Sequence, residues 1–325
     1  MKYTITGGKG VVASLFARRL ISEGHSVTII DDGSDPRHEA NSFDGPTYLH
    51  QRLEQMPTRV LADVLADSDR VFHAAASTGI PYSATNPLDD WRRNVDGTLA
   101  LLEALRVEPR PMVVLSSVKP YELGDYLSNL CLFVGESFPL RADEPYAASK
   151  AAQSLICQAY ARSFDLPILV FRCSNLYGPA CPHGARHGWM TNFAIRAALN
   201  WPIEIQGDGH QSRDMLHASD VATAALAAYE HQPWGEILNL GGGGSNVISV
   251  LGAYSTLLEL GSKSEATTGP TRKNDDPRFE TDTREARSQL GGWSPEVNVK
   301  TGLREVYNWA CANREMLARV YEGER

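Results

Sequence analysis

The sequence predicts a doubly wound α/β fold, in which helices cover both faces of a parallel sheet. The first half of the chain alternates short β-branched runs with amphipathic helical patterns. Its strand candidates are continuous apolar runs, as expected for strands that are buried on both faces. The carboxyl ends of the strands in such a sheet are where ligands bind.

The elements follow in chain order. "YTIT" predicts the first strand, "VASLFARRLISEG" a helix and "SVTIID" the second strand. "RVFHAAA" and "MVVLSS" predict two further strands, joined by the helix "DDWRRNVDGTLALLEALR". "PYAASKAAQSLICQAYARSFD" predicts a long helix, and "PILVFRCSNLYGP" one more strand. Gly, Pro and charge clusters then interrupt shorter elements, so we expect a first domain over 1–174 and a smaller, partly interleaved α+β lobe over 175–325.

Composition and net charge limit the kinds of molecule that the protein is expected to bind. The chain has 325 residues, of which 42% are hydrophobic, and a formal net charge of -8, which argues against nucleic acid or an anionic membrane as a partner. Its five cysteines are widely spaced and form no CxxC pair, as is typical of reduced cytoplasmic thiols. No apolar run reaches the roughly 18 residues of a membrane span. We expect a cytoplasmic protein without a membrane or metal site.

A glycine turn joins the first strand to the first helix. Gly7, Gly8 and Gly10 lie there, with Ala13 at the third small position of a G-x-G-x-x-G/A pattern. Glycines allow backbone amides to approach a pyrophosphate, and the helix N-terminus adds partial positive charge. Glycine turns also connect strands to helices for steric reasons alone, so this pattern needs support from a second site.

Two carboxylates supply that support. Asp31 and Asp32 end the second predicted strand, about twenty residues after the glycines, where a carboxylate accepts the ribose hydroxyls of NAD and repels a 2′-phosphate. An acidic turn is the alternative interpretation. The combination predicts a Rossmann dinucleotide-binding domain that prefers NAD to NADP.

Tyr146 and Lys150, in "YAASK", lie one helical turn apart on the same face. An ammonium near a phenol stabilises the phenolate, so the pKa of Tyr146 is expected to fall toward the range of a general base. The Y-x-x-x-K spacing occurs by chance in many helices. Its position after a dinucleotide-binding half indicates catalysis.

Ordered motifs along almost the whole chain carry a family resemblance. They include "TGGKG", "VFHAAA", "NVDGT", "YAASK", "FRCSNLYGP", "GDGHQSRDMLHASDVA" and "TDTREARSQLGGWSPEV". With these motifs the chain resembles an extended short-chain dehydrogenase/reductase, in particular the NAD-dependent nucleotide-sugar epimerase/dehydratase family. The resemblance implies a nucleotide-diphosphate sugar as substrate and a homodimer formed through a four-helix bundle.

The resemblance also assigns catalytic roles. Counting four residues back from Tyr121 selects Ser117 as the catalytic hydroxyl, whereas counting from the preceding strand selects Val118. Ser117 would bind the sugar hydroxyl that is oxidised, Tyr146 would remove its proton, and Lys150 would hold the nicotinamide ribose.

Further contacts follow from the same resemblance. Gly7, Gly10, Asp31, Asp32, Leu53, Ala74, Ala75, Asn94, Ser116, Tyr146 and Lys150 would contact the cofactor. Ser83, Lys119, Asn175, Asn192, Arg213 and Arg272 would contact the substrate, with the two arginines neutralising its phosphates. Either arginine could instead form a surface ion pair. Arg52 stands where many relatives have an aspartate beside the adenine, so this contact falls to Leu53 and backbone, or Arg52 turns outward.

The residues after the catalytic hydroxyl separate possible reactions. Val118 and Lys119 occupy the places of the acid and base of the 4,6-dehydratases, and neither can act as that pair. Lys119 resembles a lysine of epimerases that act at C2 of CDP-linked dideoxyhexoses, although a solvated loop charge is the alternative. We therefore predict an epimerase acting through a transient keto sugar at C4 or C2. A 4-ketoreductase or dehydrogenase, a uronic acid decarboxylase and a non-catalytic dinucleotide sensor are the alternatives.

Overall fold

The structure is a computed structural model that describes residues 1–34, 41–121, 132–179, 188–271 and 278–322. The strands are β1 (Lys2–Thr6), β2 (Ser26–Ile30), β3 (Thr47–Leu49), β4 (Arg70–His73), β5 (Met112–Ser117), β6 (Leu132–Val134), β7 (Ile168–Cys173), β8 (Asn175–Tyr177), β9 (Ile203–Gln206), β10 (Ser212–His217), β11 (Ile237–Leu240), β12 (Val247–Ser249), β13 (Ala266–Gly269) and β14 (Phe279–Thr281). The helices are α1 (Val11–Ser22), α2 (Thr58–Ala66), α3 (Ile80–Thr85), α4 (Pro87–Trp91), α5 (Gly97–Val107), α6 (Pro145–Phe164), α7 (Trp189–Leu199), α8 (Ala218–His231), α9 (Val250–Glu259), α10 (Arg284–Gln289), α11 (Val299–Ala312) and α12 (Arg314–Val320).

Seven parallel strands form the central sheet, in the order β11-β7-β5-β4-β1-β2-β3. The chain builds outward from β1 in one direction through β2 and β3, and in the other through β4 and β5. The direction of winding therefore reverses between β1 and β4, where a crevice opens at the carboxyl ends of the strands. The predicted doubly wound parallel sheet is confirmed.

Apolar side chains cover both faces of this sheet. Along β5, Val113 and Leu115 pack into the cluster that holds α1 and α8, whereas Met112 and Val114 pack into the cluster that holds α2, α5 and α6. Successive strand residues point to opposite faces, so a strand buried on both sides needs an unbroken apolar run. This is the physical reason for the composition of the predicted strands.

A second core lies in the carboxyl-terminal half of the chain. Side chains of α7, α9, α11 and α12 pack together there, among them Met190, Phe193, Leu303 and Val306. A mixed three-stranded sheet (β12-β10-β8) and a parallel pair (β13-β9) accompany these helices. The same half returns β11 and α8 to the central sheet, so the two halves interleave. No helix in the described part of the chain is long and apolar enough to cross a bilayer.

Aromatic packing between α1 and the central sheet contributes to the cluster that holds α1 and α8. Phe16 of α1 is fully buried, and its ring lies edge-on to that of Phe72 on β4, with centroids 4.8 Å apart. Phe16→Ala should lower the free energy of unfolding by about 3–5 kcal/mol, because it removes buried area and leaves a cavity. Urea unfolding followed by circular dichroism measures the loss. Phe133→Ala, at a ring that is 61% exposed, is the control and should change it by less than about 0.5 kcal/mol. Equal losses in the two variants would contradict the packing argument.

Candidate active site

A cleft of about 470 Å³ opens at the carboxyl ends of the central strands. Most of the predicted site residues line it. These are Gly7, Gly10, Asp31, Asp32, Leu53, Ala74, Ala75, Ser116, Ser117, Lys119, Tyr146, Lys150 and Asn175. The cleft therefore joins the predicted dinucleotide turn to the predicted catalytic residues in one continuous space.

The glycine turn approaches the end of β4 at backbone distance. Gly7 has a φ of +66°, and a Cβ atom built on it would lie 2.6 Å from Cα of Ala75. Such an approach and such a φ both require glycine. Gly10 caps α1 without a side-chain hydrogen bond, so the first amides of the helix are available to a ligand. The turn fits the pyrophosphate of a dinucleotide.

Asp31 and Asp32 follow β2 and have different environments. The Asp31 carboxylate accepts hydrogen bonds from the backbone N–H of Lys9 (3.0 Å) and of Gly33 (2.9 Å). Burial raises the pKa of Asp31 above its ordinary value, although these amides oppose the shift. Asp32 is instead engaged by two guanidinium groups, Arg52 Nε at 3.2 Å and Arg93 Nη1 at 2.9 Å. Asp31 is therefore the better acceptor for ribose hydroxyls, and the site fits NAD.

Ser117 and Tyr146 meet at the other end of the cleft. Ser117 ends β5, Tyr146 lies in the first turn of α6, and the serine hydroxyl hydrogen-bonds the phenol oxygen. The neighbouring Ser116 faces α6, where its hydroxyl bonds to the Lys150 carbonyl (3.1 Å) and to Ser154 Oγ (2.8 Å). Ser117 is therefore the hydroxyl that faces the tyrosine.

Burial sets the proton affinities at this end. It raises the pKa of Tyr146 to about 12, against the hydrogen bond from Ser117. It lowers the pKa of Lys150 to about 8, against the charge of Asp90. Lys150 Nζ donates to the Leu115 carbonyl (3.1 Å) and to Gln153 Oε1 (2.8 Å). The pKa of Tyr146 is therefore raised and not lowered as expected, because desolvation outweighs the stabilisation of the phenolate by Ser117.

Two predicted residues lie beneath the cleft rather than along it. Ser83 is fully buried, and its hydroxyl donates to the Ile80 carbonyl at 3.0 Å. Asn94 is also fully buried; its Oδ1 accepts from the Ser77 N–H at 2.7 Å, and its Nδ2 donates to Ser149 Oγ at 2.9 Å. Asn94 thus joins the start of the α3 loop to α6 and supports the cleft from below.

The predicted substrate residues of the second lobe are spread apart. Asn175 lines the cleft, whereas Asn192 on α7 and Arg213 on β10 lie outside its lining. Asn192 Nδ2 is buried and has no hydrogen-bond partner among the described residues. Arg272 lies outside the described residues.

A match to a family model identifies the chain. Residues 3–241 match the model of the "NAD dependent epimerase/dehydratase family". The chain belongs to this family. The predicted family and the predicted NAD cofactor are confirmed, and the protein is an enzyme.

Individual relatives agree with the family match. The CDP-paratose 2-epimerase of Salmonella typhi is 31% identical over 96% of this chain and all of the relative. The UDP-glucose 4-epimerase of Thermotoga maritima, solved with UDP-glucose, has a TM-score of 0.86 at 27% identity and covers 98% of this chain and 100% of its own. The UDP-glucose 4-epimerase of Thermus thermophilus, solved with NAD, has a TM-score of 0.82 at 26% identity and covers 95% and 99%.

Sequence reasoning missed two residues of this family member's site. Arg93 lines the cleft and binds Asp32 and Asp89, and Asp90 is a buried carboxylate bonded to Ser149 Oγ at 2.6 Å. The segment "DDWRRN" could have indicated them, because it places four charged residues shortly after the predicted strand "RVFHAAA", which carries predicted cofactor contacts. Only the three-dimensional fold shows which of the four face inward.

The lowered pKa of Lys150 makes a prediction about stability. Its pKa is about 8 in the folded protein and near the ordinary 10.5 in the unfolded chain. Between these values the unfolded chain binds more protons, so the stability that depends on Lys150 increases as the pH rises. Lys150→Met removes this titration. The free energy of unfolding of the wild type minus that of the variant should therefore increase by on the order of 3 kcal/mol between about pH 7 and pH 10.5.

Urea unfolding at several pH values measures this difference. The exposed Lys263→Met is the control for the loss of a lysine elsewhere. If the free energy of unfolding of the wild type minus that of Lys150→Met stays constant or decreases as the pH rises, the lowered pKa of Lys150 is contradicted.

Proposed function

We propose that this protein is an NAD-dependent epimerase of a nucleotide-diphosphate sugar that works through a transient keto sugar, at C4 or C2. The observation that carries the proposal is the Ser117–Tyr146 pair, which lies at one end of a cleft whose other end fits a dinucleotide. The similarity to the 2-epimerase and the 4-epimerases named above supports the same reaction class.

The chain's own groups would handle the proton. Ser117 would hydrogen-bond the sugar hydroxyl, and Tyr146 would accept its proton as the carbinol becomes a ketone. NAD, when bound, supplies the hydride acceptor and donor and a positive ring charge. Lys150 would hold its charge near the tyrosine from its position on the Leu115 carbonyl. After the keto sugar presents its other face, Tyr146 would return the proton to the carbonyl oxygen, and the centre would be inverted because the carbon would regain its hydride on that opposite face.

The residues after Ser117 favour epimerisation over dehydration. Val118 is buried in a small apolar cluster with Tyr121 and Val134, so it packs and carries no acid. Lys119 lines the cleft, where its ammonium could donate a hydrogen bond to a substrate oxygen but could not replace the acid and base that eliminate water in the dehydratases. Val118 also opposes a uronic acid decarboxylase, for which the family resemblance implies a glutamate at this position. A ketoreductase or dehydrogenase remains the second candidate, since it needs the same serine and tyrosine.

The start of α7 would bind the substrate diphosphate. Trp189 lines the cleft, and its Nε1, like Asn192 Nδ2, is a buried donor without a partner among the described residues. Buried polar groups are normally hydrogen-bonded, so donors left open beside a cleft suit an anionic ligand. Arg213 and Arg272 would neutralise the phosphates, as the family resemblance implies.

The protein would be a cytoplasmic homodimer. Apolar side chains stand exposed on α4, α5 and α6, among them Trp91, Val107, Leu155 and Phe164, where a second copy would cover them. The described cysteines are free thiols, as in reducing compartments. We retain the division into a dinucleotide-binding domain over 1–174 and a substrate lobe over 175–325.

A substrate panel tests the proposal. The purified protein is incubated with UDP-, CDP-, GDP-, ADP- and dTDP-sugars in deuterated water without added NAD, and products are identified by NMR. We expect one sugar to be inverted without deuterium at carbon, because the hydride returns directly. In a parallel incubation with added NAD⁺ or NADH, stoichiometric consumption of that cofactor would instead show a dehydrogenase or reductase.

The two catalytic hydroxyls have separate expected effects. Tyr146→Phe should lower turnover by about 10³-fold or more, because the proton acceptor is lost, and Ser117→Ala by about 10²-fold. Bound NAD should stay unchanged in both variants. The control is Tyr160→Phe, since Tyr160 lies on the same helix and its hydroxyl donates to Glu103. Turnover that survives Tyr146→Phe would refute the assigned base.

A further inference from the structure

Two loops that line the cleft flank the glycine turn. In the central sheet β1 lies between β4 and β2, so the loops that follow β4 and β2 lie on either side of the turn that follows β1. The loop after β4 leads into α3 and contributes residues 78–81 to the lining of the cleft. The loop after β2 contributes Asp31, Asp32 and Ser34. A dinucleotide with its pyrophosphate at the glycine turn would therefore lie between the two loops.

Four alternating charges form a closed ring beside this part of the cleft. Arg52 donates from Nε to Asp32 (3.2 Å) and from Nη1 to Asp89 (3.1 Å). Arg93 donates from Nη1 to Asp32 (2.9 Å) and from Nε to Asp89 (2.6 Å). The side chains of these four residues are 19–28% exposed, so salt screens their attraction less than it screens a surface ion pair. Each carboxylate is thus held by both guanidinium groups.

Asp89 connects this ring to the other loop. Its Oδ2 also accepts a hydrogen bond from the hydroxyl of Tyr82 on α3, at 2.8 Å. On the opposite side of the ring, Arg93 Nη1 donates to Ser34 Oγ at 3.1 Å as well as to Asp32. A continuous line of polar contacts therefore runs from the loop after β2, through Arg93 and Asp89, to α3. Asp89 does not itself line the cleft, so it acts through the groups that it holds.

We propose that Asp89 is a positioning residue that holds the two loops against each other and thereby slows the release of NAD. Without its carboxylate, Tyr82 and Arg93 would lose the acceptor that they share. The start of α3 would then separate from the loop after β2 at a lower cost in free energy. The inference deepens the proposed function and rests on it for its purpose, because an epimerase returns the hydride to the same sugar and needs NAD to stay bound between turnovers.

A release experiment tests the proposal without any sugar. The full-length protein is loaded with radiolabelled NAD⁺ and freed of excess label by gel filtration. A large excess of unlabelled NAD⁺ is then added, and the bound label is followed over time. Asp89→Asn should release the label about 10-fold faster than the wild type, because an amide has no charge for the two guanidinium groups. Asp63→Asn is the matched control: its carboxylate is exposed and pairs with Arg59 on α2, so the rate should stay within about twofold of the wild type.

Two further measurements separate a link between the loops from a general loss of structure. Tyr82→Phe removes the bond to α3 and keeps the charged ring, so release should be about threefold faster than in the wild type. The double variant of Tyr82→Phe and Asp89→Asn should release NAD no faster than Asp89→Asn alone, because both changes break the same link. Raising the NaCl concentration from about 0.05 M to about 0.5 M should speed release from the wild type more than from Asp89→Asn, in which the ring is already broken.

Several results would overturn the proposal. They are a release rate of Asp89→Asn within about twofold of the wild type, effects of the two substitutions that multiply in the double variant, an equal response to salt in wild type and Asp89→Asn, or an equal acceleration in Asp63→Asn. Thermal unfolding checks that each variant is folded. If Asp89→Asn fails to fold, Tyr82→Phe decides, and release at the wild-type rate then overturns the proposal. Because the readout is bound NAD, it is independent of whether the protein epimerises any sugar.

Discussion

The contact between the glycine turn and the end of β4 is the constraint on which the site depends. Gly7 brings the β1–α1 turn against Ala75 at a distance that no side chain allows. This contact lies where the winding of the sheet reverses, so the cleft opens beside it. The amides at the start of α1 and the carboxylates after β2 then face one space, which also contains the end of β5.

A buried chain of hydrogen bonds connects this turn to the catalytic helix. Thr6 of β1 bonds to His73 Nδ1 at 2.7 Å, His73 Nε2 to Thr98 at 2.8 Å, Gln153 to Thr98 at 3.0 Å, and Lys150 to Gln153 at 2.8 Å. Burial lowers the pKa of His73 to about 3, so the imidazole is neutral and can both donate and accept. The network therefore positions Lys150 through neutral groups. Burial of the same site raises the pKa of Tyr146 and lowers that of Lys150.

Sequence patterns predicted the local parts of this arrangement well. Gly7, Asp31, Tyr146 and Lys150 each belong to a short motif whose spacing has a direct meaning on a turn, a strand end or a helix face. The family resemblance, and not spacing, assigned Ser117 and Tyr146, which lie on different elements, to one catalytic site. The pattern could not give the pKa of Tyr146, because the desolvation that raises it comes from many parts of the chain. Nor could it place Asn94, whose amide lies beneath the cleft and bonds both to Ser77, before α3, and to Ser149 on α6.

The sequence by itself determined the doubly wound sheet, the dinucleotide turn and the tyrosine–lysine pair, because apolar periodicity and glycine or helix spacing act over a few residues. Tertiary structure alone decided that Ser116 faces α6 while Ser117 faces Tyr146, and that Arg52 is fixed by carboxylates from three separate segments. These outcomes depend on which side chains from distant segments converge, and on how much water their packing excludes. Neither the convergence of distant side chains nor the extent of their desolvation can be predicted from one short segment of the sequence.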